Sequence, residues 1–407
     1  MSAEAADGIR WVPVGEAGEV RMGKQLSPAS RDAGGQLPYL RVANVFEGRI
    51  DYGDVKSMGF TDAEKRVYEL RPGDILLNEG QESLANVGRS AVYDGGAASL
   101  CFQNTLIRFR PGSAVLSDYA QAVFVQWRRM GAFARVAEKT SISHLGGSRF
   151  AKMLFPVIPL EEQRRIVEIL DAVAESERAA EAAISKLQAS RRGILLGSMA
   201  AITASEAPDG WERLPLKEVV PSVDYGISVA LDEDSRGVAT LRMNNLRDGR
   251  PHLNELRYCP QKVHSKHLLR MGDVLFNRTN SIDHVGRSGI WRGELEEATF
   301  ASYLVRLNPD VNRIIPQYLV EWLLHPAIRQ RVRAIATVAV QQVNVNPTRL
   351  RELYIDLPTD LGEQKKLVAS LEVCDRRIAT ERESLGKLQV MKRGLADALL
   401  DGKRLVR

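Results

Sequence analysis

The chain is written almost twice, and that repetition limits what it can fold into more than any other feature. The segment "EEQRRIVEIL" opens at Glu161 and "GEQKKLVASL" opens at Gly362. Setting Glu162 on Glu363 gives an offset of 201 residues, and "KLQ" at 186–188 then falls on "KLQ" at 387–389. With small adjustments the same offset aligns "YLRVANV" (39–45) with "TLRMNNL" (240–246) and "LRPGDILLN" (70–78) with "LRMGDVLFN" (269–277). It also aligns "VGRSAVYDGG" (87–96) with "VGRSGIWRGE" (285–294), and Trp11 with Trp211. The period is far longer than the ~20–50 residues of a solenoid, so the repeated object is a whole domain with its helix.

Each copy ends in one long helix. Stepping by seven from Ile166 gives Val173, Ala180, Leu187 and Ile194. Four residues further on, the series is Leu170, Glu177, Ile184, Arg191 and Ser198. The second copy gives Leu367, Cys374, Glu381, Leu388 and Leu395, with Leu371, Ile378, Leu385, Lys392 and Leu399. Mostly apolar residues at a and d, with charge elsewhere, form a coiled-coil seam. A stripe this narrow needs a partner stripe, and the other copy supplies one in phase. The expectation is therefore that the two rods pair. Pro159 stands three residues before Glu162 and Pro358 five before Glu363, so the second rod is expected to start slightly differently.

The remaining segments read as α+β. "RPGDILLN" and "RMGDVLFN" are turns feeding strands, and "RSAVYDGG" and "RSGIWRGE" are strands running into turns. Residues 117–139 read as one helix with Ser117 as its N-cap. Residues 316–336 read as a helix with Pro316 in its first turn and a break at Pro326. The predicted division is a globular domain at 1–158, a long helix at 159–202, a second domain at 203–357 and a second long helix at 358–401. "TASEAPDG" (203–210) is a small, polar, turn-prone linker.

Composition excludes some classes and permits others. A chain of 407 residues, 44% hydrophobic and 26% charged, has room for two or three cores. No apolar run approaches the ~18–20 residues that span a bilayer. "MSAEAADGIR" lacks the basic and apolar segments of a signal peptide. Cys101, Cys259 and Cys374 stand apart without metal spacing, which makes a cytoplasmic location the expectation. A net charge of +5 permits nucleic-acid binding without requiring it.

The scaffold repeats, but the loops between its strands do not. "NEGQESLAN" (78–86) stands against "NRTNSIDH" (277–284), and "KTSISHLGGSRF" (139–150) against "ATVAVQQVNVNPTRL" (336–350). Two copies with unlike polar loops suit two readers of unlike targets. Arg, Asn and Gln are the side chains that bond base edges. The candidate DNA contacts in the first copy are Arg41, Asn44, Asn78, Arg89 and Asn104. In the second they are Arg242, Asn244, Asn277, Arg278, Arg287, Gln341, Gln342 and Asn344. Arg41/Arg242 and Arg89/Arg287 occupy matching frame positions and suit phosphate contact or structural pairing. Asn277, Arg278, Gln341 and Gln342 lie in divergent loops and suit base reading.

Catalytic signals are weak. "NPTR" (346–349) lacks the second proline and the aromatic residue of an amino-methyltransferase motif. "PTDLGEQK" (358–365) carries nuclease letters, but acids at a helix start are accounted for by capping and the helix dipole. "HSKH" (264–267) with Cys259 lacks a fourth ligand at metal spacing. The alternatives left open are a stand-alone methyltransferase or nuclease with a divergent site, and a coiled-coil scaffold without a DNA role.

The duplicated domain, each copy closing on a proline, an "EQ" helix start and a "KLQ" rod, resembles the specificity subunit of type I restriction–modification systems. The likeness extends over nearly the whole chain. It implies two target recognition domains, each reading half of a bipartite DNA site, spaced by an antiparallel coiled coil. It implies two modification (methyltransferase) subunits and restriction subunits as partners, and a specificity chain that does no chemistry itself. S-adenosylmethionine, ATP and Mg would then be held on those partners, with no cofactor and no metal on this chain.

Overall fold

The computed structural model describes residues 9–31, 34–81, 86–96, 99–139, 143–339 and 342–400. The chain divides into two compact units. One comprises Met1–Glu181 with Glu383–Arg407 and the other Ala182–Arg382.

In the first unit a four-stranded antiparallel sheet has the order Gly18–Met22, Leu106–Pro111, Ile75–Asn78, Ser90–Val92. A three-stranded sheet of Cys101–Phe102, Gln36–Leu40 and Lys56–Gly59 accompanies it. The second unit repeats both sheets, with Ser222–Tyr225, Leu304–Asn308, Val274–Asn277 and Ser288–Ile290 in the first. Arg257–Cys259, Val238–Leu241 and Ala298–Phe300 make the second.

The "GD" turns explain why these strands recur. Gly73 and Gly272 sit at φ +90° and +93°, a region open to glycine. The following Asp turns back to bond the backbone: Arg71 N donates to Asp74 and Arg270 N donates to Asp273, at 2.8 and 2.9 Å. The central strand of each sheet then runs buried on both faces.

The helices correct the sequence reading in part. The stretch 117–139 is not one helix: Ser117–Arg129 ends, Gly131 takes φ +71°, and Ala132–Val136 resumes. Ser117 is inside the helix and not its cap, and its hydroxyl donates to the Gly73 carbonyl at 2.8 Å. The expected break in the second copy falls at His325, between Pro316–Leu324 and Pro326–Ala334.

The rods are Leu160–Ser198 and Leu361–Leu400. Their starts do coincide at the repeat offset, so the expected difference does not arise. Pro358 ends the preceding strand, and Asp360 takes the cap position, accepting from Gly362 N at 2.8 Å. None of the twenty seam positions named above is exposed. Within the first unit Ile166 and Leu170 share a core with Leu399 and Leu400, and Glu177 bonds Lys392 at 2.6 Å. As one helix ascends the other descends, which makes the pair antiparallel. Within the second unit Arg191 meets Asp375 at 2.6 Å, and Ile194 and Leu195 pack with Leu367, Val368 and Leu371 in the same sense.

The "EQ" motif is explained by its glutamine. Gln163 and Gln364 are each fully buried. Gln163 Nε2 donates to the Ala114 and Ile158 carbonyls, both at 2.8 Å, while its Oε1 accepts from Leu116 N at 2.8 Å. Gln364 repeats this with the Arg313 and Pro358 carbonyls at 2.9 Å and Ile315 N at 3.0 Å. One side chain thus ties the start of the rod to the end of a strand and to the start of an earlier helix.

Candidate nucleic-acid interface

The polar loops in each unit hang from a short framework that again repeats bond for bond. Asn78 N donates to the Arg89 carbonyl and Gly88 N to the Asn78 carbonyl, at 2.8 and 2.9 Å. Asn277, Arg287 and Gly286 repeat these bonds at 2.8 and 2.7 Å. Gly88 and Gly286 both lie at φ +75°, and a Cβ on Gly88 would stand 2.1 Å from the Phe133 ring. The "VG" pair is therefore a turn requirement, and it presents the arginine that follows.

Three of the candidate DNA contacts are buried, which withholds their side chains from a ligand in this conformation. Asn44, Asn78 and Asn277 are 2%, 0% and 0% exposed. Asn44 accepts from Arg41 N and donates to the Asp51 and Asp54 carbonyls, so its amide is spent holding its own loop. Its counterpart is Asn245, which makes the same set of bonds. Asn244 stands one position earlier and is exposed. Asn78 and Asn277 donate to the Val45 and Met243 carbonyls, and the Oδ1 atom of each is buried without a partner.

Arg41 pairs with the Asp54 carboxylate, and Arg242 donates to the Glu255 carbonyl at 2.7 Å, so both brace the loops beside them. Burial, with Arg257 nearby, lowers the Arg242 pKa. Arg89 lies over the Phe46 ring at 5.5 Å, with Arg49 over the same ring at 4.4 Å. The Arg287 side chain makes no hydrogen bond or ion pair among the described residues. Beside it, burial and then the charges of Arg333 and Arg287 pull Arg329 down to about 10. Clustered guanidinium groups are suited to a polyanion. Asn104 is half-buried, and Gln342 is exposed on the strand Gln342–Asn344. Gln341 lies outside the described residues.

The divergent loops meet in a three-stranded ladder in each unit. In the second, Thr279–Asn280, Gln342–Asn344 and Thr337–Ala339 pair. Arg278 N donates to the Tyr303 carbonyl and Val345 N to the Arg278 carbonyl, at 3.0 and 2.8 Å. Arg278 Nη2 donates to Asn344 Oδ1 at 3.2 Å, over the exposed Tyr225 ring at 5.3 Å. In the first unit Gly80–Gln81, Ser143–His144 and Glu138–Lys139 form the matching ladder. There the same backbone bonds run from Glu79 N to Thr105 and from Leu145 N to Glu79, but the side-chain pair is Glu79 Oε2 with His144 Nδ1 at 2.8 Å. Sequence reasoning missed Glu79 and His144, because it searched the loops for base-reading amides and arginines.

The residues with catalytic letters serve local structure. Asn346 caps Pro347–Arg351, accepting from Thr348 N at 2.8 Å. His264 accepts from Lys266 N at 3.2 Å and caps its own turn. Burial pushes the Cys101 thiol up to about 12, which makes it unreactive. Among the described residues no helix is long and apolar enough to cross a membrane.

Residues 8–187 match the family model of the Type I restriction modification DNA specificity domain. The chain is 31% identical over 197 residues to the putative type I restriction enzyme MjaX specificity subunit of Methanocaldococcus jannaschii. That match covers 48% of this chain and 46% of the relative, about half the length of each. It is 23% identical over 356 residues to the type I restriction enzyme EcoKI specificity subunit of Escherichia coli, covering 83% of this chain and 75% of that one. A chain from a solved structure concerned with complex assembly and conformational transition of the type I R-M system superposes with TM-score 0.62. It covers 98% of this chain and 99% of its own at 18% identity, which shows a shared fold.

Proposed function

We propose that this chain is a specificity subunit of the type I restriction–modification family and the DNA-reading component of its complex, each unit reading one half of a bipartite, asymmetric site. The observation that carries the reading is the pairing of sameness and difference. The two units share glutamine staples, glycine turns and loop-capping asparagines, yet carry unlike polar groups on equivalent ladders. A scaffold without a DNA role has no use for that combination. Arg89, Arg287 and Arg333 supply backbone attraction independent of sequence, and the ladder residues supply discrimination. The antiparallel rods hold the separation of the half-sites, each helix being roughly 60 Å long at about 1.5 Å per residue.

Catalysis belongs to other chains of the complex. Two modification subunits dock on the specificity chain and hold S-adenosylmethionine. Restriction subunits holding ATP and Mg join the larger assembly. The specificity chain confers the target on both activities and performs neither.

Mapping methylated adenines across a genome, with and without this chain beside its modification subunit, tests the reading. One split motif that vanishes without the chain is expected. Methylation by the purified chain alone, or a motif that persists without it, would overturn the proposal.

A further inference from the structure

We propose that Glu79 with His144, and Arg278 with Asn344, are the positions that fix one base in each half-site, and that the two bases have opposite hydrogen-bonding character. The inference rests on the functional reading above and names the chemistry of its contacts.

The two pairs occupy the same place in their units. Each first member sits directly after the buried asparagine of the central strand, and its own amide and carbonyl are held by the two ladder bonds described above. Each second member sits on the facing strand, opposite Gly80 in one unit and Thr279 in the other. The backbone is therefore constant and the side-chain chemistry is reversed. Glu79 accepts, and its Oε1 has no partner among the described residues. Arg278 donates, and its Nη1 has none.

Both groups are preorganised. Glu79 is only 14% exposed and is braced by His144, itself 43% exposed. Arg278 is braced by Asn344, which Thr279 orients in turn through a 2.9 Å bond. A charge fixed in this way discriminates by refusal as well as by attraction. A carboxylate bonds the amino group of cytosine or adenine and repels the O6 of guanine or the O4 of thymine. A guanidinium takes guanine O6 and N7 and opposes an amino group. The first half-site then carries an amino-bearing base where the second carries guanine. A pair that merely pinned two strands together would not need opposite charge in the two units.

The test is methylation mapping in cells that carry the modification subunit with the full-length chain, wild type or variant. Glu79→Gln keeps the shape and the bond to His144 but lets the side chain donate. It should leave the melting temperature and the second half-site unchanged. It should also cut the preference for cytosine or adenine over guanine at one position of the first half-site by about tenfold to a hundredfold. The double change Glu79→Arg with His144→Asn transplants the pair of the second unit and should make guanine the preferred base there. If the wild-type motif is bipartite and Glu79→Gln leaves the first half-site as it was, this assignment fails while the functional reading stands. A wild-type map without two half-sites overturns both.

Discussion

Replacing Gln364 with alanine should destabilise the second unit by about 3 kcal/mol, and the size of the loss follows from what the side chain holds. The substitution leaves one buried N–H, of Ile315, and two carbonyls, of Arg313 and Pro358, without the partners seen at 2.9–3.0 Å. Each orphaned buried group costs about 1–3 kcal/mol. Water entering the space left by the amide recovers part of that, which brings the net toward the lower half of the sum. With a urea dependence of about 2 kcal/mol per molar, the unfolding midpoint should fall by roughly 1.5 M. Gln163→Ala should do the same to the first unit, since its three bonds are equivalent. Glutamate is the stricter probe. Gln364→Glu sets an oxygen against two carbonyls, so it should cost at least as much at neutral pH and recover in acid, when the carboxyl can donate again. Urea titrations followed by tryptophan fluorescence report on both units, through Trp11 and Trp127 in one and Trp211, Trp291 and Trp322 in the other. A loss under 1 kcal/mol for either alanine variant would refute the staple as the reason for the repeated motif.

Two further outcomes are expected. Gly272→Ala should cost about 1 kcal/mol, because its φ of +93° strains any side chain while the space around it is open. Gly73→Ala should cost more, because a Cβ there also meets Ser117 Oγ at 2.8 Å, and the same titrations rank the two. Glu321 is buried with Arg191 at 2.7 Å, yet burial raises its pKa above the ordinary 4.5, with Asp375 and Glu372 adding to the rise. Its contribution to stability is therefore greatest below pH 4.5 and declines as pH rises through the raised folded value. Glu321→Gln should flatten that slope without lowering stability at neutral pH, as urea midpoints across pH 4 to 8 would show.

The parts legible in the sequence were those with a period or an obligatory residue. The rods showed through sevenfold spacing sustained from Ile166 to Ile194 and from Leu367 to Leu395. The "GD" turns showed because a positive φ calls for glycine. The "EQ" start was visible, but its meaning was not, since the partners of Gln163 lie five and nearly fifty residues away. The helix at 117–129 was overextended because Met130 and Gly131 interrupt an otherwise good helical pattern. Asn244 is the sequence candidate in the second copy although the alignment sets Asn44 on Asn245, and only the capping bonds show that Asn245 is the structural equivalent. The ladder of Glu79 and His144 was hidden because strands of two residues have no periodicity to read. Recognition residues were sought among amides and arginines, a rule that overlooks a carboxylate in the same position.

Changing the length of the paired rods tests most directly the proposal that they set the distance between two readers. One heptad is inserted into the first rod between residues 181 and 182 and one into the second between 382 and 383. At about 1.5 Å per residue this adds roughly 10 Å, about three base pairs of B-DNA. Methylation mapping should return the same two half-sites with about three more base pairs between them. An active variant that keeps both half-sites at their original spacing would contradict the account.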